Sequence, residues 1–295
     1  MGSLKEIRTR IASVITTRQI TSAMKMVSAA KLKKAQDSII RLRPYAQKLN
    51  EILKNIHSSL DAADDNVFGK EKDLHNVLIV LITSNRGMCG AFNSNAIKLS
   101  IETVHSNYEL LLKQGKVKYF CIGKKGFDVL RTKNYNILRV QNDILDKPSF
   151  DKIGPVADEI MQLFVTGQYD RVLLIYNKFR NAAVQILTQE QFLPIPKLEK
   201  ENDGKKEMNV DYIYEPSKEF ILKDLVPKTL KVEFFQAILD SHASEHGARM
   251  TAMHKATDNA TDIIRQLTLS YNKARQAAIT GEILEIVGGA EALKG

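Results

Sequence analysis

Two histidines four residues apart, His242 and His246, carry the spacing in this chain most suggestive of chemistry. The run HASEH fits H-x-x-E-H, a zinc-protease pattern in which both imidazoles share a helix face and can reach one Zn²⁺. No third ligand accompanies them, and five-residue matches of this kind arise by chance. A second candidate is the loop Ser84–Gly90, SNRGMCG, which follows an apolar run at the place where α/β folds bind phosphates. It is neither G-x-G-x-x-G nor G-x-x-x-x-G-K-[ST], and no ribose-binding acid follows it, so it reads as a tight packing turn. His57, His75, His105 and His254 are scattered, and no Ser/His/Asp or Cys/His arrangement can be assembled. Cys89 and Cys121 form neither a CxxC pair nor a disulfide framework, and read as packed or free thiols in a reducing compartment. The expectation is a chain with no catalytic residues, no metal site, no cofactor and no small-molecule substrate of its own.

The elements that would position these residues explain why. Ser3 to Arg43 and Ala248 to Thr280 each run without one Gly or Pro, and both are rich in Ala, Met, Lys and Arg, which favour helix. Ser3 with Glu6 has the form of a capping box. Ala35, Ile39, Leu42, Ala46, Leu49, Leu53, Ile56 and Leu60 recur at alternating spacings of three and four, the seam of a helix that buries against another. Pro44 should bend the helix without shifting that register. A single helix over residues 1–60 would be roughly 90 Å long, too long to lie within one small domain.

Residues 61–75 read as a joint. Beyond it the apolar β-branched run NVLIVLIT (76–83) has the form of a strand buried on both faces. A helical pattern over 92–112, strands at 117–122 and 137–140, helices at 125–131 and 153–165, and strands at 171–176 and 183–188 follow in alternation, the grammar of an open α/β sheet. Residues 194–209 should form a surface loop, and DYIYEP (211–216) returns to order. A second long helix is expected over 228–287, with an inner seam of Leu230, Phe234, Ala237, Ala256, Ala260, Ile263, Leu267, Tyr271, Ala274 and Ala278. Gly247 is its one soft spot, and Gly288–Gly289 should end it. The fold class is therefore α/β: N- and C-terminal helices paired as a long antiparallel coiled coil, plus a central open α/β (Rossmann-like) sheet domain. The domains are 1–60, 76–216 and 228–287, the last pairing with the first.

Charge indicates what such a chain touches. The net charge is +9, and residues 1–60 hold twelve Lys and Arg against only Glu6, Asp37 and Glu51, so the first helix carries the whole surplus. A basic rod fits an acidic partner: nucleic acid, an anionic membrane surface or an acidic protein sleeve. Nucleic acid is the weaker match, because the basic stretch has no groove-reading motif and no interleaved aromatics. No apolar run reaches the ~18 residues that span a bilayer, and MGSLKEIRTR has no apolar signal region.

Specific residues now carry a resemblance. ITSAMKMVSAAKLKKAQ (20–36) and SEHGARMTAMHKATDNATDIIRQLTLSYNKARQAAITGEILEIVGGAEAL (244–293) resemble the two ends of the gamma subunit of F-type ATP synthases, and SNRGMCG and DYIYEP resemble further signatures of that family. Asn85 stands where the family usually has Asp. The resemblance implies a bacterial-type central-stalk rotor, transmitting torque between a membrane c-ring and an alpha–beta catalytic ring so that proton flow is coupled to ATP synthesis or hydrolysis. Its implied partners are the alpha and beta subunits, the epsilon subunit and the c-subunit ring. It implies that Met24 and Lys25 lie beside an acidic loop of the beta subunits, that Arg275 and Gln276 form a catch with a beta subunit, and that Arg249 and Thr280 tune coupling. Tyr212, Tyr214 and Glu215 fall in the foot, near the c-ring and epsilon. In HASEH only Glu245 fits the family pattern, which leaves His242 and His246 incidental. The chain begins close to the family's helix start, so no transit peptide is expected, and the implied location is the cytoplasmic side of a bacterial inner membrane, held peripherally.

Overall fold

The computed structural model describes residues 4–58, 67–69, 73–195 and 218–292. The chain divides into two compact units, Ala30–Ala248 and Met1–Ala29 with Arg249–Gly295. Two helices contribute to both: α1 (Leu4–Ser58) and α6 (Lys218–Ala292).

The larger unit is built on a five-stranded sheet. In chain order its elements are β1 (Val77–Ile82), α2 (Phe92–Asn107), α3 (Glu109–Lys113), β2 (Val117–Ile122), α4 (Lys124–Thr132), β3 (Ile137–Gln141), α5 (Phe150–Val165), β4 (Arg171–Phe179) and β5 (Gln185–Leu193). The strand order is β3-β2-β1-β4-β5, parallel except for β5, which returns antiparallel to β4. β1 lies at the centre and is buried along its whole length. Because side chains alternate faces along a strand, Val77, Ile79 and Leu81 pack on one side against Ala96, Ile97 and Val104 of α2 and Leu130 of α4. Leu78, Val80 and Ile82 pack on the other side in a cluster with Ile153, Ile160 and Phe164 of α5 and Leu230, Phe234 and Ile238 of α6. The continuous apolar run at 76–83 is the direct consequence of having helices on both faces. The start of β1 is held by Asp170, whose Oδ2 accepts from the backbone N–H groups of His75 and Asn76 at 2.9 and 2.8 Å.

Several boundaries differ from the sequence expectation. α6 begins at Lys218 rather than 228 and passes through Pro227, because Val226 and Leu230 on either side of it are buried in the core and hold the helix in place. It also continues through Gly288–Gly289 to Ala292: neither glycine adopts the positive φ that a helix-ending cap requires. The helix expected over 92–112 is interrupted at Tyr108, where φ is −136°. β5 is longer than expected, starting at Gln185 and running on to Leu193 where the expectation ended at 188. Gly247 is a close-approach position, not a soft one: an added Cβ would lie 3.1 Å from the Ala182 carbonyl oxygen in the turn between β4 and β5. α1 runs unbroken through Pro44, and in this unit Ala46 and Leu49 pack against Val232, with Leu42 and Leu225 beside them.

The smaller unit pairs the first part of α1 with the last part of α6. Thr21 Oγ1 lies 2.9 Å from Thr257 Oγ1, and one turn further along α1 the Lys25 Nζ reaches back to His254 Nδ1 at 3.5 Å. Rising numbers on α1 meet falling numbers on α6, so the pair is antiparallel. Leu4, Ile7, Ile11, Val14, Arg18, Thr21, Lys25 and Ser28 line α1's inner side, and Met253, Thr257, Ala260, Ile264, Leu267, Tyr271, Ala274 and Ala278 line that of α6. Both sets are spaced alternately by three and four, a heptad seam. Ile263, expected on the seam, is 41% exposed, and Ile264 takes that place.

Candidate functional site

The Ser84–Gly90 loop is closed upon itself and its neighbours. Ser84 Oγ donates to the Arg86 carbonyl at 2.6 Å, and the Ser84 N–H donates to Asn93 Oδ1 at 2.9 Å. Asn85 Nδ2 donates to the Asn142 carbonyl at 3.0 Å while its Oδ1 accepts from the Lys124 N–H at 3.2 Å. An amide can do both, and an ionised Asp has only acceptors. At the start of α4, the Lys125 N–H donates to the Ser84 carbonyl and the Gly126 N–H to Thr83 Oγ1. The N–H groups of Ser84, Lys124, Lys125 and Gly126 are thus used within the fold.

The thiols have no nucleophilic environment. Cys121 is fully buried and burial pushes its thiol up to about 12, while Cys89 is 1% exposed with Asn93 Nδ2 at 3.2 Å. His242 and His246 share a face of α6 as the spacing predicts, with their Nε2 atoms 3.2 Å apart and their rings edge-to-face. At that distance one imidazole donates its N–H to the lone pair of the other. Among the described residues, no three His, Cys, Asp or Glu side chains converge as a metal site would require.

The residues singled out for contact lie on the paired helices. Met24 and Lys25 are half-buried on α1. Arg249 is buried, 7% exposed, at the first residue of α6 in the smaller unit. Arg275, Gln276 and Thr280 are exposed, and Gln276 and Thr280, four apart, share one helix face. Tyr212, Tyr214 and Glu215 lie outside the described residues. The structure therefore joins Lys25 to α6 and leaves Arg275, Gln276 and Thr280 facing outward.

Two features escaped the sequence reading. The first is the seam in the first half of α1, which Arg18, Thr21, Lys25 and Ser28 disguise as polar. The three-four spacing was the available signal. The second is His254, whose Nδ1 lies 3.5 Å from Lys25 Nζ and 3.3 Å from Asp258 Oδ2. The i, i+4 spacing of His254 and Asp258 was visible, but their cross-helix neighbour was not.

Exposed apolar side chains mark the same unit. α1 presents Ile20, Met26 and Val27, and the last turns of α6 present Ile279, Ile283, Leu284, Ile286 and Val287. Large apolar side chains gathered on a surface are what a protein partner covers.

The chain thus combines an α/β unit with a helix pair that presents apolar and basic side chains outward. The fold is similar to that of a chain in the Euglena gracilis mitochondrial ATP synthase OSCP/F1/c-ring in rotational state 3, with a TM-score of 0.67, 24% identity and coverage of 98% of this chain and 94% of that one. It is likewise similar to a chain of the rotor of that enzyme in rotational state 1, with a TM-score of 0.64, 24% identity and coverage of 94% and 98%. A family model described as ATP synthase matches residues 3–293. The ATP synthase gamma chain of Flavobacterium psychrophilum is 55% identical over 298 residues and that of Chlorobaculum tepidum 42% identical over 294, each alignment covering 100% of both chains. The chain belongs to the ATP synthase gamma chain family.

Proposed function

We propose that this chain, the central-stalk rotor subunit of an F-type ATP synthase, carries torque between the membrane c-ring and the alpha–beta catalytic ring and performs no bond chemistry itself. The full-length identity to gamma chains carries this reading. The outward apolar and basic faces of the helix pair support it. α1 and α6 expose different side chains, so each catalytic subunit of a surrounding ring would meet a different surface at each angle. A ring state stabilised by one surface and not by another is favoured at that angle alone, which converts rotation into a shift among nucleotide states. Met24 and Lys25 would face an acidic loop of beta. Arg275 and Gln276 would form the catch, with Arg249 and Thr280 tuning it. Tyr212, Tyr214 and Glu215 would stand in the foot near the c-ring and epsilon. Residues 1–60 and 228–287 would serve as shaft and 76–216 as the seat of the foot. No described helix is long and apolar enough to cross a membrane. The location proposed is the cytoplasmic face of a bacterial inner membrane, held through the c-ring.

The test is ATP hydrolysis by the alpha–beta ring of the same organism with and without the chain. Stable assembly and a large gain in sustained turnover are expected, and no assembly and no gain would remove the reading. In the assembled complex, Arg275→Ala with Gln276→Ala should lower ATP synthesis severalfold, because exposed groups at a desolvated contact are worth roughly 1–3 kcal/mol together. The isolated chain should keep its unfolding midpoint. Unchanged synthesis would count against the catch.

A further inference from the structure

His254 Nδ1 faces two partners that want opposite things of it. Lys25 Nζ, from α1, is a donor with no acceptor capacity and requires a lone pair on Nδ1. Asp258 Oδ2, on α6, is an acceptor and requires a proton there. The separations are 3.5 and 3.3 Å, and the three groups meet at the outer edge of the helix pair, with His254 and Asp258 side chains 56% and 62% exposed. One nitrogen cannot serve both at once. Neutral imidazole with its proton on Nε2 accepts from Lys25, which ties α1 to α6. Imidazolium donates from Nδ1 to Asp258, which is a bond within α6 alone, and its charge repels the ammonium of Lys25. Lys25 is the charged group that α1 brings to this imidazole, and Asp258 is the one on its own helix.

We propose that His254 is a positioning residue for Lys25. When neutral it holds the ammonium across the helix pair. When protonated it exchanges Lys25 for Asp258 and releases the ammonium outward, adding a second positive charge beside it. The occupant that reads this change is an acidic protein surface, the complement of a first helix that carries twelve basic residues against three acidic ones within residues 1–60. The consequence rests on the rotor reading: acidification would tighten the grip of the surrounding ring at this level of the shaft.

Two measurements test it. In the full chain, ¹⁵N spectra of the imidazoles, assigned by the signal missing in His254→Gln, should show an unprotonated Nδ1 for His254 at about pH 8 and a protonated one at about pH 5.5. A Nδ1–H tautomer at the higher pH would overturn the exchange, whatever happens in the complex. In the assembled alpha–beta–gamma complex, retention of the chain through a salt series should be roughly two- to fivefold stronger at about pH 6 than at about pH 8, the range of an exposed charge pair. His254→Lys should be fixed in the tight behaviour and His254→Gln in the weak one. Lys25→Gln should remove most of the pH dependence. A merely structural histidine would lose retention equally in the Lys and Gln variants, and that result, or a wild-type pH profile in His254→Gln, would overturn the proposal. Failure of every form to assemble would overturn the rotor reading instead, with the nitrogen spectra deciding the exchange by themselves.

Discussion

Gly123→Ala should unfold or severely destabilise the α/β unit. Gly123 joins β2 to α4 with φ 99° and ψ 141°, a region essentially closed to residues with a Cβ. A Cβ there would lie closer than 3.0 Å to the Thr83 carbonyl carbon and oxygen, and to Thr83 Oγ1. Neither obstacle can move cheaply. The Thr83 N–H donates to the Ile122 carbonyl at 2.8 Å, and Thr83 Oγ1 accepts from Gly126 N–H at 2.9 Å. Backbone strain of about 1–3 kcal/mol therefore adds to a clash with main chain, and a loss above about 3 kcal/mol is expected. Urea unfolding of the full chain, followed by tyrosine emission since the chain has no Trp, measures it. Gly115→Ala is the control. Its φ is also positive, at 73°, but its added Cβ would meet only Asn136 Nδ2 at 3.7 Å. That variant should lose about 1–2 kcal/mol, the cost of the left-handed conformation alone. Equal losses in the two variants would show that the crowding at Thr83 is relieved by movement.

The strands of the sheet were legible because burial on both faces leaves an unbroken apolar run, as in Val77–Ile82 and in the middle of β4. β5 was legible only in part: it lies at an edge, and Gln185, Gln189 and Gln191 give it the look of a loop. The long helices were legible from the absence of Gly and Pro, and so were the bounds of α1, whereas the ends of α6 were not. Pro227 looked like a boundary, and packing around Val226 and Leu230 carried the helix through it. Gly288–Gly289 looked like a cap, but a cap depends on a left-handed φ that composition does not reveal. The same limit applied to the contact residues. Family motifs pointed to Lys25 and Arg275, whereas the partnership of Lys25 with His254, 229 positions away, requires the antiparallel register. In the first half of α1 the seam was hidden because two thin helices can bury threonine, serine and the stems of Lys and Arg at positions where a thicker core would demand Leu.

Asp240→Asn should stabilise the chain at neutral and alkaline pH. Asp240 sits on α6, 5% exposed, in the face that packs toward the sheet. Burial is the largest influence on it and raises its pKa from 3.8 to about 6; Lys178 of β4 and Arg43 of α1 pull it down, and Glu190 of β5 pushes it up. Glu190 is itself engaged, accepting from the Tyr176 hydroxyl at 2.9 Å and lying 3.7 Å from Lys178 Nζ, so Lys178 is shared between two carboxylates. The folded state holds the proton more tightly than the unfolded chain. The stabilisation that protonation supplies is complete below about pH 4, and it is lost as pH rises through about 6. Two units correspond to about 3 kcal/mol once the carboxylate is fully ionised. Asparagine has nearly the shape of the protonated acid and cannot ionise. The variant should therefore match the wild-type chain at about pH 4 and exceed it by about 2–3 kcal/mol above pH 7. Urea midpoints of both proteins across that range decide it. A constant difference at every pH would mean that Asp240 carries its charge without penalty, through a closer ion pair with Lys178 or Arg43. A variant less stable above pH 7 would mean that the attraction of those two cations outweighs the cost of burial.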